Sequence, residues 1–190
     1  MLKKEKDASA AFSLRVISDP VGPVLLRGEL PVCSGKTLPG RYYRHLEQML
    51  RRRCESVQEP CELLLRTALY HPDERFCSVH VEAQVLLQGR KLPFFTDGCV
   101  WEIQSGQPVT FRALTGNRFS ARKLFPLLEP RKEPEWLLRT CPDWELKVKK
   151  ALSEYRFYLE PETMVLYLPP LTLDSPLENS CRLPFSTKQQ

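Results

Sequence analysis

The chain has 190 residues, with 28 Lys plus Arg against 23 Asp plus Glu, 42% hydrophobic residues, 17 Pro and 7 Cys. At this length folding removes roughly 70% of the surface of the extended chain, so a core forms without staples. That excludes a disulfide-stapled mini-domain, and an excess of five positive charges over 190 residues does not by itself call for nucleic acid.

Residues 1–11 are basic and predicted to be disordered, residues 12–186 form one domain, and residues 187–190 are a polar tail. The apolar stretch Ala8 to Leu14 is interrupted by Ser9 and Ser13, too short and too polar for a signal peptide. Met164 to Leu173 contains two prolines and is about half a membrane span. Export and membrane insertion are therefore not expected.

Phe12, Leu14 and Val16 alternate with Ser13 and Arg15, the group Asp19, Pro20, Gly22 and Pro23 turns the chain, and Val24, Leu26, Leu30 and Val32 resume the alternation. The pattern predicts two strands, with Gly28 marking a bulge and Pro31 a sheet edge. From Arg41 to Val57 the period becomes helical: Tyr43, Leu46, Met49, Leu50, Cys54 and Val57 share a face opposite Arg44, Glu47, Gln48, Arg51 and Arg52. Pro60 ends the helix. Leu63, Leu65 and Leu69 begin a second run of strands. In the next, Cys77, Val79, Val81, Ala83, Val85 and Leu87 give a dry face, and Ser78, His80, Glu82 and Gln84 a polar one.

Gln88 to Lys91 make a turn, Leu92 to Gly98 a loop, and Cys99, Trp101 and Ile103 a strand that closes a hairpin onto Val109 and Phe111. Prolines then interrupt the chain, with short helical turns expected around Ala121 to Phe125 and Glu135 to Leu138. Thr140 with Asp143 resembles a capping box ahead of a helix whose stripe is Trp144, Val148, Ala151 and Tyr155. Strands at Phe157 to Leu159, Met164 to Leu168 and Cys181 to Phe185 finish the domain. The predicted class is α+β, a mainly antiparallel sheet packed by one long and one shorter helix.

Three histidines, His45, His71 and His80, accompany no nucleophile elbow, phosphate-cradling glycine loop or paired carboxylates, so no catalytic residue is predicted. Cys77 and His80 are three apart, and in a strand such residues point to opposite faces, so no metal or other cofactor is predicted. Seven scattered cysteines without a CxxC spacing read as reduced, buried thiols of a cytoplasmic protein. Arg51, Arg52 and Arg53 spread around the helix without interleaved aromatics, which reads as a solvated face rather than a base-stacking surface. The candidate partner-binding residues are Phe94, Phe95, Asp97 and His80, for a protein or small ligand. In the loop, one of the two consecutive phenylalanines faces outward as an apolar contact, or both close the end of the sheet.

The segment RFYLEPETMVLYLPPLTLDSPLENSCRLPFS, Arg156 to Ser186, resembles the closing hairpin of the C-terminal domain of RsiV-type anti-sigma factors, a domain also found beside peptidoglycan deacetylases. WEIQSGQPVTFRAL, Trp101 to Leu114, is similar to that family's strand, turn and L-x-x-L continuation. The resemblance implies the bacterial α+β domain of an extracellular sensor that binds lysozyme. Where family members carry a glycine-rich G-G-A-H stretch, this chain has Lys91 to Gly98, so no residue is carried over. Lysozyme is basic, and a receptor with five excess positive charges gains no steering toward it.

Overall fold

In the computed structural model the residues described are 11–116, 120–124, 127–129, 142–153, 156–168 and 179–184. The chain divides into two compact units, residues 1–97 with 101–107, and residues 98–100 with 108–190. Each unit holds one sheet, so the strands expected to share a single sheet sort into two, and the class is α+β with mainly antiparallel pairing.

In the first unit β1 (Phe12–Val21) and β2 (Val24–Cys33) form an antiparallel hairpin around Gly22, whose φ is 59°. The chain then enters α1 (Leu38–Glu55), where Thr37 caps the first turn by accepting from the Gly40 N–H at 3.3 Å. Tyr43, Leu46, Leu50 and Cys54 are its buried stripe. Because a helix links β2 to β3 (Cys61–Asp73), those two strands run parallel, the one such pairing among the described strands. β4 (Phe76–Leu87) and β5 (Arg90–Glu102) complete the order β1-β2-β3-β4-β5.

The helix decides which face of this sheet is dry. Arg15 and Asp19 on β1 form ion pairs with Glu47 and Arg51 of α1, and β1 pairing places them beside Leu30 and Leu26. Ile17 and Val21 therefore lie beneath the helix, while Leu14 and Val16 are 39% and 76% exposed on the opposite side. The alternation of Phe12, Leu14 and Val16 is real, but it does not mark the core. On the dry side of β4, Cys77, Val79, Val81 and Ala83 are buried as the pattern predicts, while Val85 and Leu87 are half-buried. Ser78, expected on the wet side, is buried as well.

Two boundaries differ from expectation for local reasons. Gln88 and Gly89 both have positive φ, 50° and 77°, which is the backbone of a two-residue hairpin turn matched to strand twist. β5 thus starts at Arg90, and the expected loop Leu92 to Gly98 is strand. Phe111 does not continue a hairpin either. The Thr110 side chain accepts from the Ala113 N–H at 3.1 Å and starts α2 (Phe111–Thr115). The turn itself closes earlier, with the Glu102 N–H donating to Gln107 O at 2.9 Å.

The second unit contains α2, α3 (Ala121–Leu124), β6 (Leu128–Glu129), α4 (Trp144–Ser153), β7 (Phe157–Glu160), β8 (Thr163–Leu168) and β9 (Asn179–Pro184). Its sheet is antiparallel in the order β6-β9-β8-β7. β8 is buried on both faces from Met164 to Leu168, so Val165 and Tyr167 are core together with Met164, Leu166 and Leu168. Phe111 meets Phe157 edge-on at 5.6 Å. Gly98 closes against Tyr167: its N–H donates to the hydroxyl at 2.8 Å, and a Cβ there would stand 2.6 Å from Tyr158 Cδ1. The expected turn at Glu135 to Leu138, the cap at Thr140, Tyr155, Phe185 and both terminal segments up to residue 10 and from 187 lie outside the described residues.

Candidate functional site

Phe94, Phe95 and Asp97 are consecutive or near neighbours on β5, all half-exposed. They are not on a loop, and their positions are set by strand pairing and by α1. The Tyr42 hydroxyl, near the helix start, is 2.9 and 3.0 Å from the two Asp97 carboxylate oxygens. Near the helix end the Arg53 guanidinium lies over the Phe94 ring, 5.9 Å from its centroid, within reach of a cation–π attraction.

An aromatic cluster fixes this arrangement. Trp101 Nε1 donates to the Tyr43 hydroxyl at 2.7 Å, and the rings of Tyr42, Tyr43 and Trp101 meet edge-on at 5.2 to 6.0 Å. Such pairs add roughly 0.5–1.5 kcal/mol each beyond the area they bury. The consequence is that α1 and β5 cannot slide past one another without breaking a buried hydrogen bond.

His80 is not part of this group. It pairs with Ala68 across β3 and β4, on the sheet face turned away from α1, near Glu82 and Gln84. Cys77 lies on the other face, beneath α1 and fully buried, so the C-x2-H spacing brings no common ligand position. Among the described residues no three His, Cys, Asp or Glu side chains come together as a metal site.

The feature that residue-by-residue reading overlooked is on α1. The three arginines divide: the Arg51 guanidinium reaches inward to Asp19 at 2.5 Å and Glu47 at 3.0 Å. The bond to Asp19 raises its pKa, partial burial opposes the rise, and Glu47 adds to it. Arg52 and Arg53 instead line an open groove of about 330 Å³ together with His45, Gln48, Met49 and Ser56. These six positions recur at helical spacing, so the stripe could have been found in the sequence by treating Arg52 and Arg53 separately from Arg51.

The thiols give a direct check on burial. Cys33, Cys54, Cys77, Cys99 and Cys181 are buried and Cys61 is half-buried, with Cys141 outside the described residues. Burial pushes Cys77 up to about 12, and burial also raises Cys54. A raised acid pKa means the folded state holds its proton more tightly. The Cys77 contribution to stability is thus complete below the ordinary thiol value of 9.0 and is lost as pH climbs toward about 12. At pH 8 in native buffer, a maleimide should label Cys61 before any of these buried thiols, with Cys77 modified only after denaturation, as read by peptide mass spectrometry. Rapid native labelling of Cys77 would contradict the packing beneath α1.

No family model matches the chain, and no curated protein matches it. Among solved structures it is similar to a DUF3298 family protein from Pseudomonas aeruginosa PAO1, at 10% identity, a TM-score of 0.51, and coverage of 95% of this chain and 93% of that one. A DUF3298 family member from Bacteroides fragilis NCTC 9343 aligns over 95% and 92% at 10% identity, with a TM-score of 0.45. Among the described residues no helix is long and apolar enough to cross a membrane. What the likeness to the Pseudomonas protein shows, at 10% identity over 95% of the chain, is a shared fold.

Proposed function

We propose that the chain is a non-enzymatic binding or regulatory domain of the cytoplasm, contacting a protein or small ligand through the part of β5 that carries Phe94, Phe95 and Asp97. The observation that carries this reading is that Phe94, Phe95 and Asp97 are all half-exposed within one short stretch of a strand that Tyr42, Tyr43 and Trp101 tie to α1. Rigid presentation of aromatic side chains lowers the entropy lost on binding.

The test is an affinity capture from the native host with the intact chain and with a Phe94→Ser, Phe95→Ser variant. The intact chain should retain a partner that the variant releases. Equal retention by both forms would remove β5 from the contact, and turnover of a substrate that stops on His80→Ala would overturn the non-enzymatic reading.

A second reading, an extracytoplasmic sensor or cell-wall-associated module of the RsiV type, is supported by the closing strands β7, β8 and β9, which follow the order of the resembled hairpin. Cell fractionation separates the two readings: the cytoplasmic one requires the chain in the cytosol with its thiols free.

A further inference from the structure

The groove on the outer side of α1 is a site of a different chemical kind from the β5 stretch. Its charged and amide side chains, His45, Gln48, Arg52 and Arg53, can all present N–H donors, and among the described residues no carboxylate lines it. Arg52 makes no ion pair among the described residues, in contrast to Arg51 one position earlier, which is held by two carboxylates. Among the described residues the Arg53 guanidinium meets the face of Phe94 and no carboxylate, an interaction that orients a guanidinium without neutralising it. Met49 supplies an apolar patch between the polar groups.

The shape restricts the occupant. From His45 to Ser56 is eleven residues, about 16 Å along a helix, which matches about five residues of extended polypeptide. A compact oxyanion would engage only the Arg52 and Arg53 end. An extended segment would meet the whole row, with carboxylates on the guanidiniums and an apolar side chain on Met49.

We propose that this groove docks an extended acidic segment of a partner protein, in which carboxylates alternate with apolar side chains at every second position, along the face turned to α1. Charge complementarity supports the choice: the chain carries five more positive than negative groups, which steers an acidic partner toward it. Planar guanidiniums also donate two parallel N–H bonds to a carboxylate in a bidentate fork. The inference rests on reading the chain as a binding domain, but it concerns α1 rather than β5.

The experiment is fluorescence anisotropy of the intact chain with a labelled octapeptide of repeating Asp-Asp-Leu-Leu, whose two extended faces each alternate carboxylate and apolar side chains. The expected result is saturable binding that weakens about tenfold in an Arg52→Ala, Arg53→Ala variant and weakens again as salt is raised. Both arginines are exposed, so the variant should melt close to the parent, and circular dichroism confirms that it is folded. Arg27→Ala, which removes one charge from an exposed residue of β2, should leave the affinity unchanged. Equal binding of an octapeptide with lysine in place of aspartate, or unchanged affinity in the double arginine variant, would overturn the proposal. So would equal weakening by Arg27→Ala, because net charge alone would then explain the binding. Displacement of the peptide by inorganic phosphate, beyond what sodium chloride does at the same ionic strength, would reassign the groove to small oxyanions. A chain that captures a host partner yet ignores the peptide refutes the groove and leaves the binding-domain reading standing.

Discussion

Gly28→Ala should destabilise the first unit by about 4 kcal/mol, the sum of roughly 1–3 for forcing atoms into a packed site and roughly 1–2 for a side chain at positive φ. Gly28 lies in the middle of β2, paired with Ile17 on one side and Leu65 on the other, at φ 129°. A Cβ there would stand 1.9 Å from Leu65 O, 2.7 Å from Leu65 C and 2.9 Å from Leu65 N. These are backbone atoms, so no rotamer change relieves the clash. The strands must separate at the last residue of their parallel ladder. Urea denaturation followed by tryptophan fluorescence measures the loss. Gly89→Asn is the matched control: Gly89 has positive φ but nothing within 4 Å of a Cβ, and asparagine tolerates that backbone, so its midpoint should stay near the parent's. A Gly28→Ala variant within about 1 kcal/mol of the parent would mean that β2 and β3 are not held as described.

Trp101→Ala should cost about 4 kcal/mol, in the range for removing a large aromatic side chain from a core. Trp101 is 2% exposed, donates to Tyr43 and touches both tyrosines of α1 edge-on. The loss should extend beyond stability. The same contacts fix α1 against β5, so Phe94 and Asp97 should become mobile in the variant, visible as faster amide exchange along β5. Trp101→Phe refills part of the volume without the indole N–H and should fall between the two. Unchanged exchange at β5 in a folded Trp101→Ala chain would show that the strand, and not the cluster, sets the site.

The two substitutions probe different kinds of information in the sequence. Gly28 stands out as a glycine interrupting a strand pattern and reads there as a bulge; the register runs through it without a shift, and what the glycine permits is a close approach of the Leu65 backbone. Which backbone approaches it could not be read, because Leu65 is 37 positions later and reaches β2 only through the crossover of α1. Trp101 was legible as an inward residue by alternation with Glu102. Its hydrogen bond to Tyr43 joins a strand to a helix 58 positions away, a distance over which local periodicity carries no signal.

The candidate site shows the same division. Phe94 and Phe95 were legible as adjacent aromatics, one of which must point away from its neighbour's face in any extended chain. The segment Leu92 to Gly98 reads as a loop, and Pro93, Asp97 and Gly98 are poor strand formers; the two-residue turn at Gln88 and Gly89 overrides that preference by starting β5 at Arg90. His80 was legible as a polar-face residue. That its face lies away from α1, and thus away from Asp97, depends on the side of the sheet the helix takes.

By itself the sequence determined the α+β class, a long helix read over Arg41 to Val57 and found at Leu38–Glu55, the dry face of β4 and the hairpin of β7 and β8. Those follow from periods of 3.6 and 2 in the placement of apolar side chains, which each segment expresses on its own. Tertiary structure decided that the strands form two sheets and that β2 and β3 run parallel. It also decided that Leu14 and Val16 face outward, and that Arg51 is neutralised while Arg52 and Arg53 line a groove. The reason is common to all four. Alternation marks two faces of a strand and a helix period marks two sides of a helix, but only the packing of one element on another selects which side becomes the interior.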